Sequence, residues 1–256
     1  MENILIIKNL YNYVYINPLF YIFGLLSVIT GSFIQFVCIF YLIIIHELGH
    51  FLIARFFGVN DLKICIYPFG GITKINFNLN IDIYKELLIL IMGPLFQIIG
   101  FLILIRINYF NSYYDLIKMY HHGILFFNLL PIYPLDGGRI LNIFLSLLFS
   151  IRKSFFITFF ISYLVILILC LLFFSIRVNY IYIFLFLIIK LLMEISKFDY
   201  YYEKFLLERY LNNYKFKKRI IINDVKYFYR NRRHLIKIGE NYYTEKDFLK
   251  KKYKSY

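Results

Sequence analysis

The sequence predicts an all-α, polytopic membrane protein: about six transmembrane helices, a membrane-associated β-hairpin and a small basic cytosolic tail. Three observations lead there. The 256 residues are 61% hydrophobic and 22% aromatic, too apolar for a soluble globular domain. Apolar runs near the roughly 18 residues that cross a bilayer recur through the first three quarters of the chain. The formal charge of +14 is concentrated at one end, because residues 196–256 carry 17 Lys/Arg against 7 Asp/Glu. Such a tail suits anionic lipid headgroups or an acidic partner rather than a nucleic-acid groove. A solvated cytosolic tail obeying the positive-inside rule accounts for it equally well.

Residues 1–13 are a short mixed lead. The first span is expected over about Val14 to Thr30, with Pro18 near its start, where proline is best tolerated. Gly31-Ser32 turns the chain into a second span from about Phe33 to Phe57, closed by Arg55 and Gly58. Residues 59–83 lack a spanning run. Leu62 to Tyr67 and Ile72 to Phe77 partly alternate around Pro68-Phe69-Gly70-Gly71, a hairpin signature. The third span, about Glu86 to Ile105, holds Gly93-Pro94 and should kink there.

A fourth apolar stretch starts near Leu116 but is broken by Asn128-Leu129-Leu130-Pro131-Ile132-Tyr133-Pro134-Leu135-Asp136-Gly137-Gly138-Arg139. Unwound backbone at membrane depth is tolerated only where protein or a wet cavity satisfies its polar groups. Helix resumes over 140–150, and the fifth and sixth spans are about Ser154 to Ser175 and Asn179 to Ile195. Tyr200–Lys218 has the apolar spacing of a surface helix, and 220–238 with 242–253 reads as a small folded appendage. Six spans put both termini on one side. The cytoplasmic choice collects nine basic residues of the spans and connections there against three outside, which sets the orientation. That choice also places Asp136 and the cytoplasmic half of the second span at similar depth. Cys38, Cys65 and Cys170 are scattered, with no CxxC pair, and read as small core residues. With Ala54 the single alanine, no A-x-A-like cleavage site follows the first apolar run.

The chemistry lies in His46-Glu47-Leu48-Gly49-His50. A helix sets residues i and i+4 on one face, so His46 and His50 can share one metal ion. Glu47, one step round the same turn, is placed to take a proton from water. Ionisable side chains at membrane depth are a functional signal by default. A catalytic zinc needs three protein ligands and an open position. Asp136, in the glycine-flanked break, is the leading third ligand. Its alternatives are a helix-capping role or a pairing with Arg139, and His121 and His122 are rival ligands near the outer end of the fourth span. Asn128 can donate to a developing oxyanion or bond between helices. The hairpin can hold a substrate strand by edge pairing or sit as an ordinary interfacial hairpin.

The His46–His50 motif together with Asn128…Pro134-Leu135-Asp136-Gly137-Gly138, Pro68-Phe69-Gly70-Gly71 and Gly93-Pro94 resembles the site-2 protease family of intramembrane zinc metalloproteases, over about residues 14–195. The resemblance implies one Zn2+ per chain held by His46, His50 and Asp136, with Glu47 as the catalytic residue. Asn128, Pro68, Phe69, Gly70 and Gly71 are the expected contacts with a membrane-associated protein substrate. Gln97 departs from the asparagine many members carry after Gly-Pro. No connection is long enough for a PDZ insertion, and the compact layout is most similar to the sporulation branch, which cuts a sigma-factor precursor. That branch lives in a bacterial inner or forespore-surrounding membrane and leaves room for an inhibitory membrane partner. The tail lacks the strand–helix alternation of that branch's nucleotide-sensing module. The expected division is therefore 1–195, an intramembrane metalloprotease domain, and 196–256, a basic cytosolic tail. A metal transporter or a non-catalytic membrane receptor is the competing class. A transporter should repeat its broken helix in two halves, and one break is found.

Overall fold

The computed structural model describes residues 13–59, 62–67, 70–75, 79–173, 179–214, 216 and 218–254. They fall into two compact units, one of residues 1–77 with 84–128 and one of 78–83 with 129–256. The described residues are mostly helical, with two small three-stranded sheets among them.

In the first unit, β1 (Val14–Ile16) leads into α1 (Pro18–Ile29) and α2 (Phe33–Phe56). The expected first span is thus a strand and a short helix. Asn17 Oδ1 accepts from Leu19 N–H and Pro18 occupies the first turn, so the helix starts late. Its 12 residues reach about 18 Å, short of the ~30 Å hydrocarbon layer. Val14–Ile16 is diverted because it pairs in parallel with β2 (Leu62–Tyr67), Val14 opposite Ile64.

β2 turns back into β3 (Gly70–Ile75) as the expected hairpin, with Leu62 opposite Ile75 and Tyr67 opposite Gly70. This sheet lies on α2 through Phe40, Ile64 and Ile66. Next come α3 (Ile83–Leu104), with Pro94 inside it, and α4 (Tyr114–Leu129), entered through a 3-10 turn. Ala54, Leu62 and Ile89 join α2, β2 and α3 in one core, and Cys38, Leu104 and Ile117 join α2, α3 and α4 in another. Cys38 and Cys65 are buried and unpaired, as core residues should be.

The second unit begins with the broken segment after Leu129 and continues as α5 (Asp136–Leu148), α6 (Ile151–Phe173) and α7 (Asn179–Leu211). The last is one continuous helix of 33 residues, where a sixth span and a separate surface helix were expected. No helix breaker separates Ile195 from Tyr200, so the two runs fuse. Among the described residues, three helices are long and apolar enough to cross a membrane: α2, α3 and α6.

The C-terminal appendage is a sheet of β4 (Lys218–Ile222), β5 (Arg232–Ile238) and β6 (Asn241–Thr244), closed by α8 (Glu245–Lys254). β4 pairs in parallel with β5, and β5 pairs antiparallel with β6. Its core packs Ile222, Phe228, Ile236 and Leu249 with Tyr202 and Phe205 of α7 and Ile151 and Phe155 of α6. Arg209 of α7 is buried at its centre. It donates to Glu245 Oε1 at 3.0 Å, to the carbonyls of Tyr229, Arg230 and Arg232, and to Asn80 Oδ1 at 2.8 Å. Burial pulls Arg209 down to about 10, with Glu245 opposing. A buried cation is tolerable only when so fully bonded.

Candidate metal centre

α2 sets His46 and His50 one turn apart, and both are buried, at 2% and 5% exposed. Their Nδ1 atoms face other elements. His50 Nδ1 lies 2.8 Å from the Ile89 carbonyl oxygen of α3. That oxygen can only accept, so Nδ1 carries the proton and Nε2 keeps its lone pair in the neutral ring. His46 Nδ1 lies 3.0 Å from Gln97 Oε1. The Gln97 amide is itself oriented, because its Nε2 donates to the His121 carbonyl at 3.0 Å. His46 Nδ1 is therefore also the donor, and its Nε2 is also a lone pair.

The two Nε2 atoms are 3.1 Å apart. Two lone pairs facing each other cannot form a hydrogen bond. Two donors bound to one tetrahedral zinc at about 2.0–2.1 Å stand roughly 3.3 Å apart, so the pair is spaced for a shared cation. The Nδ1–H donations to Gln97 and Ile89 are the outer bonds that fix ring orientation in metal-binding histidines. Gly93 makes room for the pair, since a Cβ there would stand 2.2 Å from His50 Nε2.

Glu47 leans toward the hairpin. Thr73 donates both its N–H and its hydroxyl to Glu47 Oε2, each at 2.6 Å. Both of these bonds fall on Oε2 rather than Oε1. Gly71 permits this approach, because a Cβ would meet Glu47 Cγ at 2.6 Å. Gly70 is the first residue of β3. Pro68 and Phe69 lie outside the described residues.

Of the remaining predicted residues, Asn128 is half-buried next to the last residue of α4, and Asp136 is the half-buried first residue of α5. His46 and His50 lie in the first unit and Asp136 in the second, and a His–His–Asp set is within the chemistry zinc takes. His121 stacks on Phe101 at 4.2 Å and serves Gln97. His122 turns its Nδ1 to the Lys118 carbonyl.

Sequence reasoning passed over Thr73 and left Gln97 without a role. Gln97 is a fully buried amide in an apolar span, and that incongruity was its readable signal. Thr73 carried no comparable mark.

Residues 34–122 match the model of Peptidase family M50. Stage IV sporulation protein FB of Bacillus subtilis is 31% identical over 204 residues, covering 77% of this chain and 71% of that protein. A zinc metalloprotease of Methanocaldococcus jannaschii is 36% identical over 142 residues, 50% of this chain and 40% of its own. The solved site-2 protease from Methanocaldococcus jannaschii is similar at a TM-score of 0.55 and 29% identity, covering 71% of this chain and 89% of that one.

Proposed function

Because this chain belongs to peptidase family M50, the site-2 proteases, it is an intramembrane zinc metalloprotease, and we propose that His46, His50 and Asp136 hold its zinc while Glu47 moves the proton. The observation that carries this reading is the pair of converging Nε2 lone pairs at 3.1 Å, each pinned from behind. Two histidines arranged merely to fill a core would place a donor against an acceptor. Asp136 is chosen as the third ligand because a catalytic zinc takes three protein groups and a carboxylate completes the set.

Zinc, when bound, supplies Lewis acidity that brings the pKa of water toward ~7 and polarises a carbonyl. Glu47 Oε1 takes the proton from the attacking water and then delivers it to the leaving amine nitrogen. Thr73 holds Oε2 meanwhile, so the carboxylate stays aimed. A scissile peptide must be extended, because helical peptide bonds are hydrogen-bonded and shielded. β3 lies at the edge of its sheet, which supports pairing of a substrate strand beside Gly70 and Gly71, with Pro68, Phe69 and Asn128 as the further substrate contacts of this reading.

In this reading the substrate is a membrane-associated protein. The sporulation relative supports a sigma-factor precursor in a forespore-surrounding or inner membrane, under an inhibitory membrane partner. The chain is multi-pass, and a cytoplasmic placement of its basic tail agrees with the positive-inside rule. α7 supports the division near residue 195: its 33 residues reach about 50 Å, some 20 Å more than a bilayer core. Its second half, which carries Lys197, Asp199, Glu203, Lys204, Glu208 and Arg209, therefore belongs with the cytosolic tail.

The test is co-expression of the full chain with tethered candidate substrates, comparing wild type with Glu47→Gln on a gel and assaying zinc in both. The variant should retain zinc and lose cleavage by at least about 100-fold. Full cleavage by Glu47→Gln would remove the mechanism, and absence of zinc from both proteins would remove the centre.

A further inference from the structure

The broken segment ahead of Asp136 must hold its shape without a helical ladder. Two of its backbone bonds are local: Ile132 N–H to the Leu130 carbonyl at 2.7 Å and Leu135 N–H to the Ile132 carbonyl at 2.8 Å. A third reaches another helix, with Tyr133 N–H donating to Ser162 Oγ of α6 at 2.9 Å. Ser162 is fully buried, near the middle of a helix long and apolar enough to span a membrane. Its own hydroxyl proton goes to the Thr158 carbonyl at 2.7 Å, so its oxygen is free to accept and its rotamer is set.

One turn earlier, Thr158 Oγ1 accepts from Asn142 Nδ2 of α5 at 3.0 Å and donates to the Ser154 carbonyl. The polar face of α6 thus grips the chain on both sides of Asp136, three residues before it and six after. The Tyr133 ring adds an apolar anchor, edge-on to Phe155 and Phe159 of the same helix. A backbone N–H stripped of its acceptor at this depth has no water to turn to.

We propose that Ser162 is a positioning residue for the metal site, holding the unwound segment so that the Asp136 carboxylate is presented in one orientation. The proposal rests on the reading of Asp136 as a ligand. Supports one bond removed from a metal ligand typically change metal affinity by about 10–100-fold, and Ser162 acts through a short, stiff stretch of backbone. Ser162→Ala should therefore weaken zinc binding roughly tenfold. Ser162→Thr, which keeps the oxygen, should restore it.

The experiment uses the full chain in detergent with three readouts: zinc affinity against a competing chelator, thermal midpoint, and amide exchange across 129–140 in the zinc-stripped protein. Ser162→Ala should lower zinc affinity and speed exchange in that segment while the rest of the protein exchanges as wild type; Ser162→Thr should do neither. Wild-type zinc affinity in Ser162→Ala would overturn the proposal, as would exchange that rises everywhere, the mark of a general packing role. The same substitution in an Asp136→Asn background separates the two readings. If Ser162 acts through Asp136, the double variant binds zinc no more weakly than Asp136→Asn alone. If it is weaker by the full tenfold, Ser162 acts elsewhere. If Asp136→Asn leaves zinc affinity unchanged, the ligand assignment itself falls, and the role of Ser162 falls with it.

Discussion

Replacing Gln97 with methionine tests the metal centre from behind. Methionine nearly matches glutamine in length and volume but offers neither the carbonyl oxygen 3.0 Å from His46 Nδ1 nor the amide hydrogen given to His121. The site is fully buried, so water cannot substitute for the lost acceptor. A buried donor left unsatisfied costs about 1–3 kcal/mol. The His46 ring escapes that cost only by rotating or by moving its proton to Nε2, and either change withdraws the lone pair from the metal. The expected loss of zinc affinity is about 10–100-fold, or roughly 1.4–2.7 kcal/mol. Titration of the purified variant against a chromophoric zinc chelator reads this directly. Cleavage measured at limiting zinc should fall in step and recover as zinc is added, since mass action refills a weakened site. A dissociation constant within about twofold of wild type, with the fold intact, would show that Gln97 does not orient His46.

Gly93→Ala forces a methyl to within 2.2 Å of His50 Nε2. It should eject the metal, read as lost zinc by metal analysis even where the helices still form. Thr73→Val removes the hydroxyl donor to Glu47 but leaves the backbone N–H, so turnover should drop roughly tenfold with zinc affinity unchanged; equal loss of zinc would place Thr73 elsewhere in the mechanism. The tail should weaken on acidification. Burial lowers His234 from its ordinary 6.5, against the Glu245 carboxylate beside it, and His234 Nε2 accepts from Tyr229 N–H at 2.9 Å. Burial alone would raise Glu245, but its bonds to His234 and Arg209 win and lower it. Both groups therefore bind protons better in the unfolded chain, and their stabilisation is whole above about pH 6.5 and declines below it. Amide exchange across 218–254 should quicken from pH 7.5 to 5.5 after correction for the intrinsic rate, and unchanged protection would refute the assignment.

Much of the candidate site was legible in the sequence because its signals are local. His46 and His50 are separated by one helical turn, so spacing alone put both imidazoles on one face. The hairpin about Gly70-Gly71 and the break between Leu129 and Asp136 announced themselves through proline, glycine and periodicity, whose effect on the backbone does not wait for a partner. Composition likewise settled that the spans need a bilayer.

Tertiary structure decided what depends on a partner distant in sequence. Val14–Ile16 is as apolar as the helix after it, and only β2, some 50 residues on, makes it a strand. The long-range contacts of the proposed site are of the same kind: Gln97 lies 51 residues from His46, Thr73 26 from Glu47, and Ser162 29 from Tyr133. An amide or hydroxyl reads the same in sequence whether it bonds its own helix or steadies a catalytic group. Its meaning comes from whichever buried donor or acceptor the fold brings within 3 Å, because in a dry interior that bond has no solvent substitute.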